Sequence, residues 1–246
     1  MVNDYRETPF VSEEDGIRYL HFASAYLQGA MRIRKPTELV WQYTQEMMSC
    51  LLFHEPSETS RIGILGLGAG SLVRFCLRHT RAMIDVVEYN PAVTELCIES
   101  FMLPATDERL NYIHDDAKHY MKQEKNKYDI LLVDLYDHQA KGPSCSSKLF
   151  YKSCYESLKP SGVMSVNLFA NHSSFEKNLH RIHDSFKQQC FALPETPDGN
   201  CIVVAGKNMK FSKSRALAIE KEWHFPARKW LNELRDSHLS QAVTID

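Results

Sequence analysis

Three alternating glycines at the end of an apolar run constrain this chain most. In Arg61-Ile62-Gly63-Ile64-Leu65-Gly66-Leu67-Gly68-Ala69-Gly70-Ser71-Leu72 a buried strand enters a G-x-G-x-G turn and then a helix. Glycine lets the backbone turn sharply and lets a ligand approach the peptide groups, while the helix that follows offers free N–H donors. The segment predicts a strand–turn–helix unit holding a nucleotide or nucleoside, with Gly66, Gly68 and Gly70 as contact positions. A purely structural tight turn is the alternative.

The rest of the chain repeats that unit. Short apolar runs at 62–66, 84–88, 110–113, 128–135 and 162–168 alternate with amphipathic stretches at 71–79, 91–101, 117–122, 147–158 and 173–188. Continuous apolar strands separated by helices predict a parallel sheet covered on both faces. Pro91 suits the first position of its helix, and Pro160-Ser161-Gly162 reads as a turn that stops the preceding one. Runs at 190–193 and 201–205, joined by the Pro, Asp, Gly and Asn residues of 194–200, predict a terminal antiparallel hairpin.

The expected fold class is α/β, a seven-stranded and mostly parallel sheet with helices on both faces. Residues 1–60 read as a small β appendage and a linking helix, the latter spaced through Leu39, Tyr43, Met47, Leu51 and Leu52 over 38–53. Residues 61–206 form the nucleoside-binding catalytic domain. Residues 207–246 are expected to be a helical tail packed through Trp223, Phe225, Trp230 and Leu234.

Composition narrows the partners. With 29 basic and 31 acidic side chains and a formal charge of -2, the chain has no global drive toward nucleic acid or an anionic membrane. Its apolar runs fall far short of the roughly 20 residues that span a bilayer. The stretch from Met1 to Glu14 has neither a secretory nor an Arg-rich transit pattern. Seven cysteines without a CxxC spacing read as reduced and packed, so the expected compartment is the cytoplasm.

Acidic residues at strand ends sharpen the ligand class. Glu88 closes the second strand twenty-two residues after Gly66, where a carboxylate can accept both hydroxyls of a ribose. The third glycine of the dinucleotide pattern G-x-G-x-x-G would fall at Ser71, so the pyrophosphate spacing is not met. After the third strand, Asp116 can accept an adenine amino hydrogen and the Ala117 N–H can serve a ring nitrogen. Asp115 or Asp116 as a helix N-cap is the plainer alternative. Glycine turn, Glu88 and Asp116-Ala117 together fit an S-adenosylmethionine-type nucleoside better than NAD.

The fourth strand ends in Asp134-Leu135-Tyr136-Asp137. Carboxyl ends of strands face the ligand crevice in open α/β sheets, and two neighbouring carboxylates call for a cation between them. A protonated amine meets that need. Such an amine, with a pKa of roughly 10, cannot attack until a base takes its proton. Asp134 is the candidate base and Asp137 the candidate anchor, with ordinary loop punctuation as the alternative for Asp137. Tyr43, Trp41 and Tyr136 can line a slot around a sulfonium, or simply pack in the core. His180 and His183, three apart on a helix and followed by Asp184, lack a further ligand cluster, so a solvated helix face is preferred and no metal is expected.

From about Gln28 to Ala205 these residues resemble the spermidine synthase (polyamine aminopropyltransferase) family, and within it a compact bacterial branch. The resemblance implies a small amino-terminal β domain before a Rossmann-like class I methyltransferase sheet of seven, mostly parallel strands. It also implies aminopropyl transfer from decarboxylated S-adenosylmethionine to a polyamine such as putrescine, without metal, and a homodimer. Gln28 resembles the nucleoside-contacting glutamine, Glu88 the ribose acid and Asp116-Ala117 the adenine contact. Asp134 and Asp137 resemble the aspartates of the D-x-S-D signature, and Gln45 falls on a polyamine-contacting position of the Y-Q-E-M helix.

Several positions depart from the family. Ala69 stands where the G-G-G-D-G-G loop has the aspartate that holds the aminopropyl ammonium. Thr44 replaces the tyrosine of Y-Q-E-M, with Tyr43 one position earlier. His138 replaces a proline, and Asn167-Leu168-Phe169 stands in place of Q-G-E. Loss of the loop acid makes ordinary S-adenosylmethionine easier to accept. Methyl transfer to a small basic substrate, and a non-catalytic nucleoside-binding homologue, are therefore the alternatives.

Overall fold

The computed structural model describes residues 8–22, 27–136, 144–187, 189–236 and 244–245, without the side chains of 211, 234–236, 244 and 245. Asp137 and the side chain of Leu234 lie outside the described residues. Strands β1 (Phe10–Glu14), β2 (Ile17–His21) and β3 (Leu27–Arg32) form a three-stranded antiparallel sheet, the expected appendage. Asp15 and Gly16, both at positive φ, turn β1 into β2.

A helix, α1 (Gln42–Met47), continues as a 3₁₀ segment over Met48–Leu52. This is shorter than the helix expected over 38–53. Every residue from Met47 to Leu52 is buried, so apolar spacing there reports burial on all sides and no longer one helical face.

The main sheet then alternates as expected: β4 (Arg61–Leu65), α2 (Ser71–His79), β5 (Met83–Glu88), α3 (Pro91–Ser100), β6 (Leu110–His114), α4 (Ala117–Gln123), β7 (Tyr128–Val133), α5 (Lys148–Ser157), β8 (Leu158–Phe169), α6 (Phe175–Ser185), β9 (Cys190–Ala192) and β10 (Asn200–Gly206). Its seven strands are ordered β6-β5-β4-β7-β8-β10-β9, with β10 antiparallel to both β8 and β9. Strands β5 and β6 are added on one side of β4 and β7 onward on the other, so the strand order switches between the parallel neighbours β4 and β7, the position where open α/β sheets leave a crevice at their carboxyl ends.

One expected turn is a bulge. Tyr128 pairs with Leu158 but Ile130 pairs with Val163. Pro160 and Ser161 therefore project to solvent within β8, which is where a strand tolerates proline.

The tail is helical in α7 (Lys213–Trp223) and α8 (Ala227–Asp236), and Lys210–Phe211 pairs with Thr244–Ile245. Phe225 and Trp230 are buried in the core that also holds Leu20 and Met31 of the appendage and Ile62 and Ile64 of β4. All seven cysteines are buried free thiols. Among the described residues no helix is long and apolar enough to cross a membrane.

Candidate active site

At the carboxyl edge of the sheet lies a cavity of about 800 Å³, a volume suited to a small-molecule ligand. The expected residues Gln28, Tyr43, Gly66, Gly68, Glu88, Asp116, Ala117 and Asp134 line it. Gly70 and Gln45 do not. Gly70 is the left-handed N-cap of α2, and a Cβ there would meet Leu103 at 2.7 Å, so its glycine serves the turn itself. Gln45 donates from Nε2 to the Leu39 carbonyl at 2.8 Å and braces the segment before α1.

The glycine loop is shaped from three sides. Gly66 has φ +90°, and a Cβ on it would collide with the Asp134 carbonyl, so only glycine lets the loop pass the end of β7. The half-buried Glu88 carboxylate accepts from Leu67 N at 3.0 Å and from Asn90 N at 2.8 Å. A carboxylate has about four acceptor sites, so it retains capacity for hydroxyl donors. Burial pushes the Glu88 carboxyl up, opposed by the N–H groups of Asn90, Leu67 and Tyr89. From beneath, the buried Arg74 guanidinium donates to the carbonyls of Pro36, Ala69 and Phe101. Desolvation lowers its pKa to about 10.

Asp116 is the N-cap of α4 and also stands at the cavity rim. Its Oδ1 accepts from Lys118 N at 2.6 Å and His119 N at 3.3 Å, capping α4, while the exposed side chain borders the cavity. Asp115 pairs with His119 Nδ1 at 2.8 Å on the same rim.

At the end of β7, Asp134 is held on both oxygens. Asn167 Nδ2 donates to Oδ1 at 3.0 Å, and the Tyr43 hydroxyl donates to Oδ2 at 3.3 Å. Burial pushes the Asp134 carboxyl up, and these two donors pull it back. Burial, reinforced by the Asp134 charge, drives the Tyr43 hydroxyl well above its ordinary value, so it keeps its proton and remains a donor. Asn200 Nδ2 donates to Asn167 Oδ1 at 3.0 Å, which orients the Asn167 amide with its NH₂ toward Asp134. Trp41 and Tyr43, with ring centroids 5.7 Å apart, supply an aromatic wall. A carboxylate fixed this way can accept a proton from a group attacking across the cavity.

Two departures from the family pattern acquire a place. Tyr43 brings its phenol to Asp134, whereas Thr44 is buried and donates to the Trp41 carbonyl at 2.6 Å. Ala69 is only 2% exposed and faces Gly29 of β3, where an added Cβ would lie 2.5 Å from the Ala69 Cβ. The loop thus packs against the appendage at the position where an acid was expected to face ligand. Asn167, Asn200 and Asp198 also line the cavity. In the sequence Asn167 stood out only as a departure from the family and Asp198 and Asn200 only as turn residues, although Asn167 lies near the end of β8 at the edge where ligands bind. Among the described residues no three His, Cys, Asp or Glu side chains converge as a metal site.

A doubly wound sheet with a glycine loop, a strand-end acid and an aspartate beside the loop at its carboxyl edge has the class I methyltransferase-like fold. The family model described as spermine/spermidine synthase domain matches residues 41–214. The chain is 30% identical over 198 residues to a polyamine aminopropyltransferase of Neisseria meningitidis, covering 79% of this chain and 74% of that one. It is 26% identical over 239 residues to a polyamine aminopropyltransferase of Chromobacterium violaceum, covering 94% and 91%. Among solved structures, a probable spermidine synthase from Corynebacterium glutamicum shares the fold with a TM-score of 0.72 at 17% identity, over 89% of this chain and 84% of that one. Human methyltransferase-like protein 13 shares it at 0.62 and 20% identity, over 76% and 93%. The chain belongs to the spermine/spermidine synthase family.

Proposed function

We infer that this chain is a polyamine aminopropyltransferase that uses decarboxylated S-adenosylmethionine. The observation that carries the donor choice is the charge around the cavity. Glu88, Asp115, Asp116, Asp134 and Asp198 face a single described cation, Lys118. Lys118 follows Ala117 at the expected adenine end. A donor with a sulfonium and an ammonium, and an acceptor that is itself an amine, suit such a lining. The α-carboxylate of ordinary S-adenosylmethionine would meet repulsion there.

In the proposed reaction the acceptor nitrogen attacks the carbon bonded to the sulfonium sulfur. The new C–N bond forms as the C–S bond breaks, and its electron pair leaves on sulfur as a neutral thioether. Asp134 takes the proton released by nitrogen. Gln28, Gly66, Gly68, Glu88, Asp116 and Ala117 would hold the nucleoside, and Tyr43 would fix Asp134 and flank the reacting groups. Holding donor and acceptor in line supplies up to about 7–11 kcal/mol of the barrier reduction. The buried free thiols suit a reducing, cytoplasmic setting.

Methyl transfer is the second reading, favoured by the absence of an acid at Ala69. Calorimetric binding of decarboxylated against ordinary S-adenosylmethionine, followed by mass spectrometry of products with putrescine, separates the two. Preference for the decarboxylated donor and an aminopropylated product are expected, and Asp134→Asn should abolish turnover while retaining donor binding. A clear preference for the carboxylated donor, or undiminished turnover in the variant, would overturn the assignment.

A further inference from the structure

Of the carboxylates lining the cavity, Asp198 alone has no hydrogen-bond donor or cation among the described residues. Glu88 holds backbone N–H groups, Asp115 holds His119, Asp116 caps α4, and Asp134 holds Tyr43 and Asn167. Asp198 is exposed at the cavity wall, on the turn between β9 and β10.

That turn is fixed in place. Thr196 N donates to the Asn200 carbonyl at 2.8 Å, Gly199 N to the Thr196 carbonyl at 2.9 Å, and Asn200 N to Thr196 Oγ1 at 3.1 Å. Gly199 adopts φ +86°, and the Phe169 ring lies 3.0 Å from where its Cβ would stand. On such a turn the backbone that carries the carboxylate is already ordered, so binding need fix only the side-chain rotamer.

Its position in the sheet separates Asp198 from the nucleoside. β10 runs antiparallel to β8, so the turn before it lies at the same carboxyl edge as Asp134. The strands ending at Glu88 and Asp116 lie on one side of β4, while β7, β8 and β10 lie on the other. β10 is two strands from β7, a distance of about 10 Å at the usual strand spacing. A four-carbon diamine spans about 6 Å between nitrogens with ordinary bond lengths. Charge-assisted hydrogen bonds of about 2.8 Å at each end let it bridge carboxylates this far apart. Trp41, Tyr43 and Phe169 offer apolar surface to the methylenes between.

We propose that Asp198 binds the far ammonium of a short diamine acceptor whose other nitrogen reacts beside Asp134. The inference rests on the aminopropyl-transfer reading and adds to it the residue that would read the second nitrogen of the diamine. A monoamine of equal length has nothing to offer Asp198. In a longer triamine the additional charge extends past the exposed turn into water.

The test compares 1,4-diaminobutane with 1-aminobutane as acceptors for the full chain and its Asp198→Asn variant. A hydrogen bond to a charged group supports an expected rise of at least tenfold in KM for the diamine in the variant. The penalty for the monoamine should be at least tenfold smaller, and Asp198→Glu should recover part of the loss. Equal penalties for the two amines, no penalty, or a rise in donor KM instead would overturn the proposal. Calorimetry of 1,4-diaminobutane in the presence of methylthioadenosine reads the same contact without turnover. Loss of diamine binding in the variant of a chain that transfers nothing would sink aminopropyl transfer and keep the Asp198 contact. Unchanged diamine binding would sink the contact itself.

Discussion

Replacing Asn167 by leucine removes the shorter of the two donors that hold Asp134, the 3.0 Å bond from Nδ2 to Oδ1. Burial already raises this carboxyl, and the Asn167 amide is the largest influence pulling it back. Without the amide the acid should rise further. A hydrogen bond to a charged group contributes about 1.5–3 kcal/mol, and water in the open cavity recovers part of it. A residue of about 1.4 kcal/mol corresponds to a factor of ten in the ionisation constant. A base works only when ionised, so turnover is lost as pH falls through the Asp134 pKa. The acid limb of the kcat/KM profile, measured over about pH 5 to 9, should therefore move upward by about one pH unit. Tyr43→Phe removes the longer 3.3 Å donor and should move the limb the same way by less. Asn200 Nδ2 is left without its partner in the leucine variant, which costs about 1–3 kcal/mol of stability and lowers Tm. That structural loss changes the amount of folded enzyme but does not move a pH limb. A limb that stays in place or moves to lower pH would refute the reasoning.

Two further perturbations test the packing around the site. Ala69→Asp restores the family's acid at a position closed by Gly29, so overpacking should cost about 1–3 kcal/mol, visible as a lower Tm, with no gain in affinity for the decarboxylated donor by calorimetry. Tighter donor binding would show that the side chain reaches the cavity. Glu46 on α1 is buried, with Oε1 accepting from Gln42 Nε2 at 2.8 Å and Oε2 unpartnered among the described residues, and burial raises its pKa. An acid whose folded pKa is raised contributes its full stability below the unfolded pKa and loses it as pH rises through the folded one. Glu46→Gln should thus be more stable than the parent near pH 8 in urea unfolding, with the gap narrowing as pH falls through the carboxylate range. A gap unchanged by pH would count against a buried charge.

The cavity wall formed by the glycine loop, Glu88 and Asp116 was legible in the sequence because its parts are local. The glycine turn announces its own backbone conformation, and Glu88 and Asp116 stand at or just past the ends of short strands that share one edge. The wall around Asn167 and Asn200 was not, because its contacts depend on register between distant strands. Asn200 opposes Phe169, and Asn167 opposes Ile202, so the two asparagines meet as diagonal neighbours on one face of an antiparallel pair. A shift of one residue would put Asn200 on the other face. Nothing in 194–200 announces that register, and the segment reads only as a reversal. Gln45 shows the opposite failure. It matches a family position, yet its amide is engaged by a main-chain carbonyl outside the cavity.

The exchange of an acid for Ala69 belongs with the way the appendage is attached. Gly29 and Ala69 touch so closely that a Cβ on the first excludes the second, which makes the two positions one contact. Ser71 Oγ, donating to the Ala30 carbonyl at 2.9 Å, and Arg74, donating to Pro36 and Ala69, tie the same loop to the same segment. Among the described residues Arg74 has carbonyls and a hydroxyl as its hydrogen-bond partners, so its buried charge depends on the loop and appendage staying together. β3 is thereby locked over the glycine turn, and Gln28, beside Gly29, is carried to the cavity wall with it. On the aminopropyl-transfer reading, a loop clamped on this side leaves little room for an acid toward the donor's ammonium at residue 69. Charge selection would then fall to carboxylates on the opposite wall, where Asp134 is braced by two side chains and Asp198 stands on a closed turn.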